Sequence, residues 1–348
     1  MKKNVIALAI ASAVAAPVAM ADAPTLFGQL NAGIESTTDK GTTVNSYASR
    51  VGVKGSEDLG NGLKAVYHLE WQIDVAGGKG ATASEDLGAR NAVVGVAGGF
   101  GTVLLGRHDT PLKMSQAKDL FNDGVADMGK SNITGGLGML GKGGEVRAAN
   151  VIAYVSPSFA GISLVAAGVS PEGVTGEDVK LTDAYSVALM YGSQKEGLYL
   201  SAAYNNYGSD MMNALGATAT PAVTGLDDAT EMRISAQYAA GGLIANVTYQ
   251  DFQDTGTFND ADELVATEGS NIQAQVGYKM GKLMPKLKYS TTDFDAAGAD
   301  DGSAYAIGLD YALGKKTKGY IEYMNSDSDM NGSGDDITST VVGLLHKF

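Results

Sequence analysis

The chain has 348 residues, of which 25 are basic and 39 acidic, giving a net charge of −14 and a mean hydropathy of −0.03. It contains no cysteine, which excludes a disulfide framework, thiolate metal sites and cysteine nucleophiles. The acidic balance argues against nucleic acid as a partner, because a phosphate-binding face needs clustered Lys and Arg.

The first residues read as a secretory signal: Lys2 and Lys3, an apolar core over residues 5–18, and Ala19-Met20-Ala21 as a small-residue cleavage pattern. That core is shorter than the ~20 apolar residues a spanning helix needs. Residues 1–21 are therefore expected to be removed, leaving 22–348 as a single domain with 23 basic and 39 acidic residues, a net −16. No Pro-rich linker, charge block or shift of composition divides it.

Several segments then alternate with period two, the mark of a strand with one apolar face. Leu63, Ala65, Tyr67, Leu69, Trp71 and Ile73 share one side, against Lys64, His68, Glu70 and Gln72, with Val66 as the exception. Tyr185, Val187, Leu189 and Tyr191 repeat the pattern, as do Leu243, Ala245, Val247 and Tyr249, and again Tyr305, Ile307, Leu309 and Tyr311. Short glycine-bearing turns near 58–62, 98–101, 157–161, 193–197, 239–242, 280–283 and 313–316 alternate with longer polar stretches. Those stretches are 36–46, 74–86, 108–146, 170–183, 208–230, 252–269, 293–302 and 328–336. Seven short turns and eight long connections give sixteen strands. The pattern predicts an all-β fold: an even-numbered antiparallel transmembrane barrel, with tight turns at one rim and long loops at the other. A secreted β-sandwich also alternates, but it explains neither this rhythm nor the tyrosines that bracket the apolar faces, where interfacial aromatics belong. The chain ends on Phe348, in one parity with Val342 and Leu344.

The third long connection, between Gly106 and Arg147, has no sustained period over about forty residues, a length that is usually functional or disordered. It carries Leu112, Met114, Leu120, Phe121, Leu137 and Leu140, apolar groups that need a surface to pack against. It is expected to fold into the barrel lumen, where protein and water can satisfy irregular backbone.

The order and spacing of several short pieces resemble the trimeric general porins of Gram-negative outer membranes, particularly the neisserial and β-proteobacterial kind. They are Leu26-Phe27-Gly28-Gln29-Leu30, the run from Ser49-Arg50-Val51-Gly52 to Gly60-Asn61-Gly62, Arg90-Asn91-Ala92, Gly99-Phe100-Gly101-Thr102-Val103, Arg147-Ala148-Ala149-Asn150 and the terminal Val342-Gly343-Leu344-Leu345-His346-Lys347-Phe348. The resemblance implies a passive diffusion channel: a homotrimer of sixteen-stranded barrels in the outer membrane, in contact with lipid and lipopolysaccharide, whose C-terminal Phe348 addresses the barrel assembly machinery. It also implies a basic ladder of Arg50, Arg90, Arg107 and Arg147 on the wall of a constriction. Parity independently turns Arg50 and Arg147 inward; Arg90 and Arg107 rest on the resemblance, because valines and leucines break the alternation beside them. The Pro-Glu-Phe-Gly segment of enterobacterial members is absent from the third connection. Asp119, Asp123 and Asp127 are spaced to share a face if that part is helical, and are the acids expected opposite the ladder; the alternative is that they are solvated loop acids.

No cofactor is expected. Asp327, Asp329, Asn331 and Gly332 match the opening of a calcium loop, but Thr338 stands where its closing glutamate belongs. Residues 136–142 fit part of a phosphate loop, with Gly143 in place of Ser or Thr. His68, His108 and His346 show no metal spacing. His108 beside Asp109 is the one pair from which an outer-membrane hydrolase could be built. A substrate-specific channel is the other alternative, and the choice between anion and cation preference stays open at this level.

Overall fold

The computed structural model describes residues 23–38, 40–77, 87–170, 180–216, 225, 227–258, 264–295, 300–332 and 334–348. The expected signal, residues 1–21, lies outside them. Seventeen strands follow in order: β1 (Thr25–Thr37), β2 (Gly41–Ser46), β3 (Arg50–Gly60), β4 (Leu63–Gln72), β5 (Gly88–Gly98) and β6 (Gly101–Asp109). After a long connection come β7 (Arg147–Val155), β8 (Ile162–Val169), β9 (Ala184–Gly192), β10 (Gly197–Tyr207), β11 (Ala229–Ala240) and β12 (Leu243–Phe258). The last five are β13 (Leu264–Tyr278), β14 (Leu283–Phe294), β15 (Gly302–Ala312), β16 (Thr317–Ser326) and β17 (Ile337–Lys347). From β3 to β17 each strand pairs antiparallel with the next, and β1 pairs with β17 as well as with β2 and β3, so the sheet closes. Strands β2 and β3 pair with successive parts of β1 and form one stave interrupted at 47–49. The result is a sixteen-stave barrel.

Two of the long connections are shorter than the sequence pattern indicates. Residues 41–46 pair with β1, and β12 and β13 extend to Phe258 and from Leu264. Backbone pairing continues there without needing an apolar face.

Wherever the period was regular, the pattern sorts the faces correctly. Leu69, Val187, Leu189, Val247, Ile272, Leu287, Ile307, Ile321 and Val342 all point outward and are exposed. So large an exposed apolar surface would aggregate in water and fits a lipid surround. Tyrosines rim it at two levels. Tyr185, Tyr204, Tyr249, Tyr289, Tyr305 and Tyr323 lie toward the long connections, and Tyr191, Tyr238, Tyr278 and Tyr311 toward the short turns. Neighbours in the first ring meet at a tilt, with centroids 6.2 Å apart for Tyr185 and Tyr204 and 6.0 Å for Tyr305 and Tyr323.

The inner face is divided in two. On β10–β14 it is polar, with Ser201, Arg233, Gln237, Gln250, Gln273, Lys286 and Lys288 covered. On β4–β8 it is largely apolar, with Val66, Val93, Leu104, Val151, Ala153 and Val169 buried, so Val66 breaks its strand's alternation because it faces other apolar groups across the interior. The seam is tight: the Phe348 ring lies against Gly28 where any Cβ would collide, and the Phe348 amide donates to Gly28 O at 3.1 Å.

Residues 110–146 pack against this inner face. Phe121 is fully buried with Leu120, Val125, Ala126 and Ile133 against Ala304, Ala306, Tyr320 and Met324, and Lys286 Nζ sits 4.5 Å from the Phe121 ring centroid. Lys288 Nζ meets Asp119 Oδ1 at 2.8 Å with both side chains at 0% exposure, and donates to Ala126 O at 2.6 Å. Removing one partner of such a pair strands a buried charge and costs about 3–5 kcal/mol. Lys288→Met should therefore lower the thermal unfolding transition of the refolded protein in detergent; an unchanged transition would show that the pair does not hold the segment.

Candidate functional site

The segment 110–146 follows the wall outward and returns one level higher. On the way out, Leu112 N donates to Ser186 Oγ (3.1 Å), Tyr199 and Ser201 donate to Ser115 O, Lys118 N donates to Gln237 Oε1 (2.8 Å), and Leu120 N donates to Gln275 Oε1 (2.8 Å). These partners lie on β9, β10, β11 and β13, those on β11 and β13 near the short turns. On the way back, Gln273 donates to Met128 O, Asn271 and Ser290 donate to Ile133 O, Met139 N donates to Glu231 Oε1 (2.7 Å), and Arg233 donates to Gly143 O (2.9 Å). Those groups sit nearer the long connections. The farthest point is Asp123, in the left-handed region at φ 60°, which crosses to β1 and β3: Gln29 and Asn31 donate to it, and Arg50 Nη1 lies 3.0 Å from its carboxylate. Residues 116–127 form turns and extended chain, not a helix, because wall side chains take up backbone groups that a helix would bond internally.

The four arginines of the expected ladder come from β3, β5, β6 and β7, strands that the segment leaves mostly free. Arg50 reaches Asp123, and its Nε lies 4.0 Å from Glu70. Arg90 Nε donates to the Glu70 carboxylate and its Nη1 to Gln72 Oε1 at 3.2 Å. Arg147 meets Asp109 at 2.9 Å and Asn91 Oδ1 at 2.8 Å. Arg107 lines a cavity of about 280 Å³ with Thr110, Met139, Lys142 and Arg147, and its Nε has no hydrogen-bond partner among the described residues.

Two bulges explain why period two failed beside Arg90 and Arg107. Leu69 pairs with Ala92 but Trp71 with Ala89, so Arg90 and Asn91 together oppose Glu70, and both reach polar partners on the inner face. The second bulge sets Ala149 and Asn150 opposite Arg107, with Gly106 at φ 134° and Asn150 at φ 53°. Bulges re-aim side chains in this way.

Of the three loop acids, Asp123 meets the ladder. Asp119 is on Lys288 and also accepts from Phe121 N and Met128 N; Asp127 accepts from Asp123 N and Gly129 N. Two acids that sequence reasoning did not assign lie within ion-pair range of these arginines, Glu70 and Asp109. Glu70 lay on the polar parity of β4 and was legible there; Asp109 was considered only beside His108. The Asp109 carboxylate is engaged by Arg147 and by Lys113 (3.3 Å), while the His108 ring faces the Asp109 backbone carbonyl. Arg233, fully buried, pairs with Glu145 at 2.9 Å and anchors the returning limb.

The calcium-like stretch serves a local purpose. Asp327 caps the short helix Ser328–Asn331 through Met330 N (2.8 Å) and accepts from Ser303 N and Oγ, while Asn331 donates to Ser326, Asp327 and Asp335 carbonyls. Among the described residues no three His, Asp or Glu side chains gather to hold a metal. In the phosphate-loop-like stretch, Met139 N is already committed to Glu231 and Gly141 N to Gly138 O.

A family model described as Gram-negative porin matches residues 7–331. The chain belongs to that family. The porin is 29% identical to the major outer membrane protein P.IB of Neisseria sicca and 30% identical to that of Neisseria lactamica, with the whole of each chain covered. Among solved structures it is similar in fold to an anion-selective porin from Comamonas acidovorans (22% identity, TM-score 0.71, 94% of this chain and 100% of that one). The Salmonella typhi OmpF complex with daunomycin is another (17%, 0.69, 93% and 97%). It is therefore an outer-membrane diffusion channel, and porins are channels, not enzymes.

Burial, and next the charge of Asp119, push the Asp127 carboxyl above the usual aspartate range. A carboxyl raised in this way stabilises the fold below the ordinary aspartate value of about 4, and that contribution is lost as pH rises through the raised value. Asp127→Asn should therefore flatten the pH dependence of thermal unfolding on going from acid to neutral; a slope identical to the wild-type one would remove Asp127 from this role.

Proposed function

We propose that this porin passes ions and small hydrophilic solutes through a charged constriction, with segment 110–146 folded into the lumen as its inner boundary. Arg50, Arg90, Arg107 and Arg147 form the basic wall; Asp123, supported by Asp119 and Asp127, forms the acidic side. The observation that carries this reading is the crossing at Asp123, where the tip of the segment meets Arg50 and leaves the β5–β7 arginines beside the remaining opening. Opposed charges across a narrow, low-dielectric neck produce a transverse field, which orients dipolar solutes and disfavours apolar ones that must displace ordered water. Flux follows the concentration gradient and needs no energy source.

The same reading includes cleavage of residues 1–21, assembly as a homotrimer in lipid and lipopolysaccharide, and delivery to the assembly machinery through Phe348. A related fold, OmpT of Vibrio cholerae, is described in a trimer form.

In planar bilayers, conductance linear in salt and unsaturated by sugars marks a general porin, whereas saturation by one sugar would favour a substrate-specific channel. Arg50→Glu combined with Arg147→Glu should move the reversal potential in a salt gradient toward cation preference. An unchanged reversal potential would take those arginines out of the neck.

A further inference from the structure

Three of the four wall arginines have a carboxylate at ion-pair range: Asp123 for Arg50, Glu70 for Arg90 and Asp109 for Arg147. A paired charge produces a short-range dipole and adds little to the potential an ion meets along the pore axis. Uncompensated positive charge gathers elsewhere, at the short-turn end. Lys118, carried there by the outgoing limb, lines two cavities among the short turns, and the second also has Lys318 and Lys347 on its wall. Among the described residues no carboxylate lies within ion-pair distance of Lys118 or Lys347. The acids near them are committed, since Asp119 holds Lys288, Asp123 holds Arg50, and Asp310 is shared between Lys286 (3.0 Å) and Lys318 (2.6 Å). Lys195, Lys279, Lys282, Lys315 and Lys316 stand on the same turns, outnumbering the acids there, Glu57, Asp58 and Glu196.

The long-connection end has the opposite sign. Asp227, Asp228, Asp293, Asp300, Asp301 and Asp336 stand there, against Lys40 and Lys180 on the connections and Lys130 and Lys142 on the returning limb of the third. Burial, and next the charges of Lys347, Lys318 and Lys279, lower the Lys118 ammonium from its usual range, so these groups feel one another. Lys118 is fixed in place because its backbone is held on both sides, N–H to Gln237 and carbonyl by Asn246 at 2.9 Å.

We propose that Lys118 and Lys347 form an anion funnel at the short-turn mouth, which sets the sign of ion preference and, with the acidic opposite rim, makes conduction depend on the direction of the field. The inference rests on the reading of the protein as an open water-filled pore. Small anions are concentrated at the lysine mouth and cations at the acidic rim. A field running from the long-connection side to the short-turn side drives both into the pore and raises the current; the reverse field depletes it. This changes conductance and not equilibrium, so nothing is pumped.

The test is single-channel recording at about 10 mM KCl, where the screening length is about 30 Å, with the instantaneous current compared at opposite voltages and the reversal potential read in a KCl gradient. The wild type should prefer chloride and carry more current with the long-connection side positive. Lys118→Gln plus Lys347→Gln should lower the chloride-to-potassium permeability ratio on the order of tenfold, as expected for two unit charges about 10 Å from the ion path in water acting with opposite sign on the two ions, and should reduce the asymmetry. Lys118→Arg plus Lys347→Arg should retain both properties, and heat-modifiable gel mobility reports whether each variant has folded. A wild type that passes no current would overturn the channel reading itself. A conducting wild type with symmetric current at low salt, or a folded glutamine variant with the wild-type reversal potential, would overturn the funnel alone.

Discussion

Hydrocarbon offers no hydrogen-bond partner, so a sheet that crosses a bilayer must satisfy every backbone N–H and C=O within itself. That requirement closes β1 on β17 and places Phe348 against Gly28 at the seam, leaving no free edge. Closure also fixes which side of each strand faces out. Register across β9–β16 keeps the apolar parity continuous from strand to strand, and the tyrosines at its two margins sit where an amphipathic ring is favoured.

Once the outside is committed to lipid, polar side chains have only the interior. There they face a connection with irregular backbone, and the two satisfy each other: glutamines, asparagines, serines and lysines of β9–β14 supply the hydrogen bonds that the segment 110–146 cannot make by itself. Lys288, Lys286 and Arg233 are almost fully covered, yet each meets carboxylates and backbone carbonyls. Buried charges of this kind add little net stability when complete and cost heavily when broken. They fix the position of the segment more than they strengthen the barrel.

Charge is distributed by function, not by total. Acids gather on the long connections, Arg50, Arg90 and Arg147 each meet a carboxylate, and Lys118 and Lys347 lie among the short turns with no carboxylate in ion-pair range among the described residues. A net charge of −14 for the chain thus says nothing about the potential an ion meets inside, because water screens the outer rim within about 8 Å at physiological salt.

The alternation in sequence determined the barrel, the number of its staves and the outward faces of the regular strands, because period-two burial is a local consequence of the pleat. Arg50 and Arg147 were legible for the same reason, and Glu70 was available on the polar parity of its strand. Tertiary structure alone decided the rest. The orientations of Arg90 and Arg107 depend on bulges, which insert a residue without leaving a signal in the pattern of hydrophobicity. The partners of Asp119, Asp123 and Asp127 depend on a connection that follows the wall without a period of its own, so Lys288, Arg233 and Asp109 were invisible as its anchors. What a side chain meets across a closed interior is set by which strands come to face it, and residues 31 and 320, joined there by a hydrogen bond, are 289 positions apart in the chain.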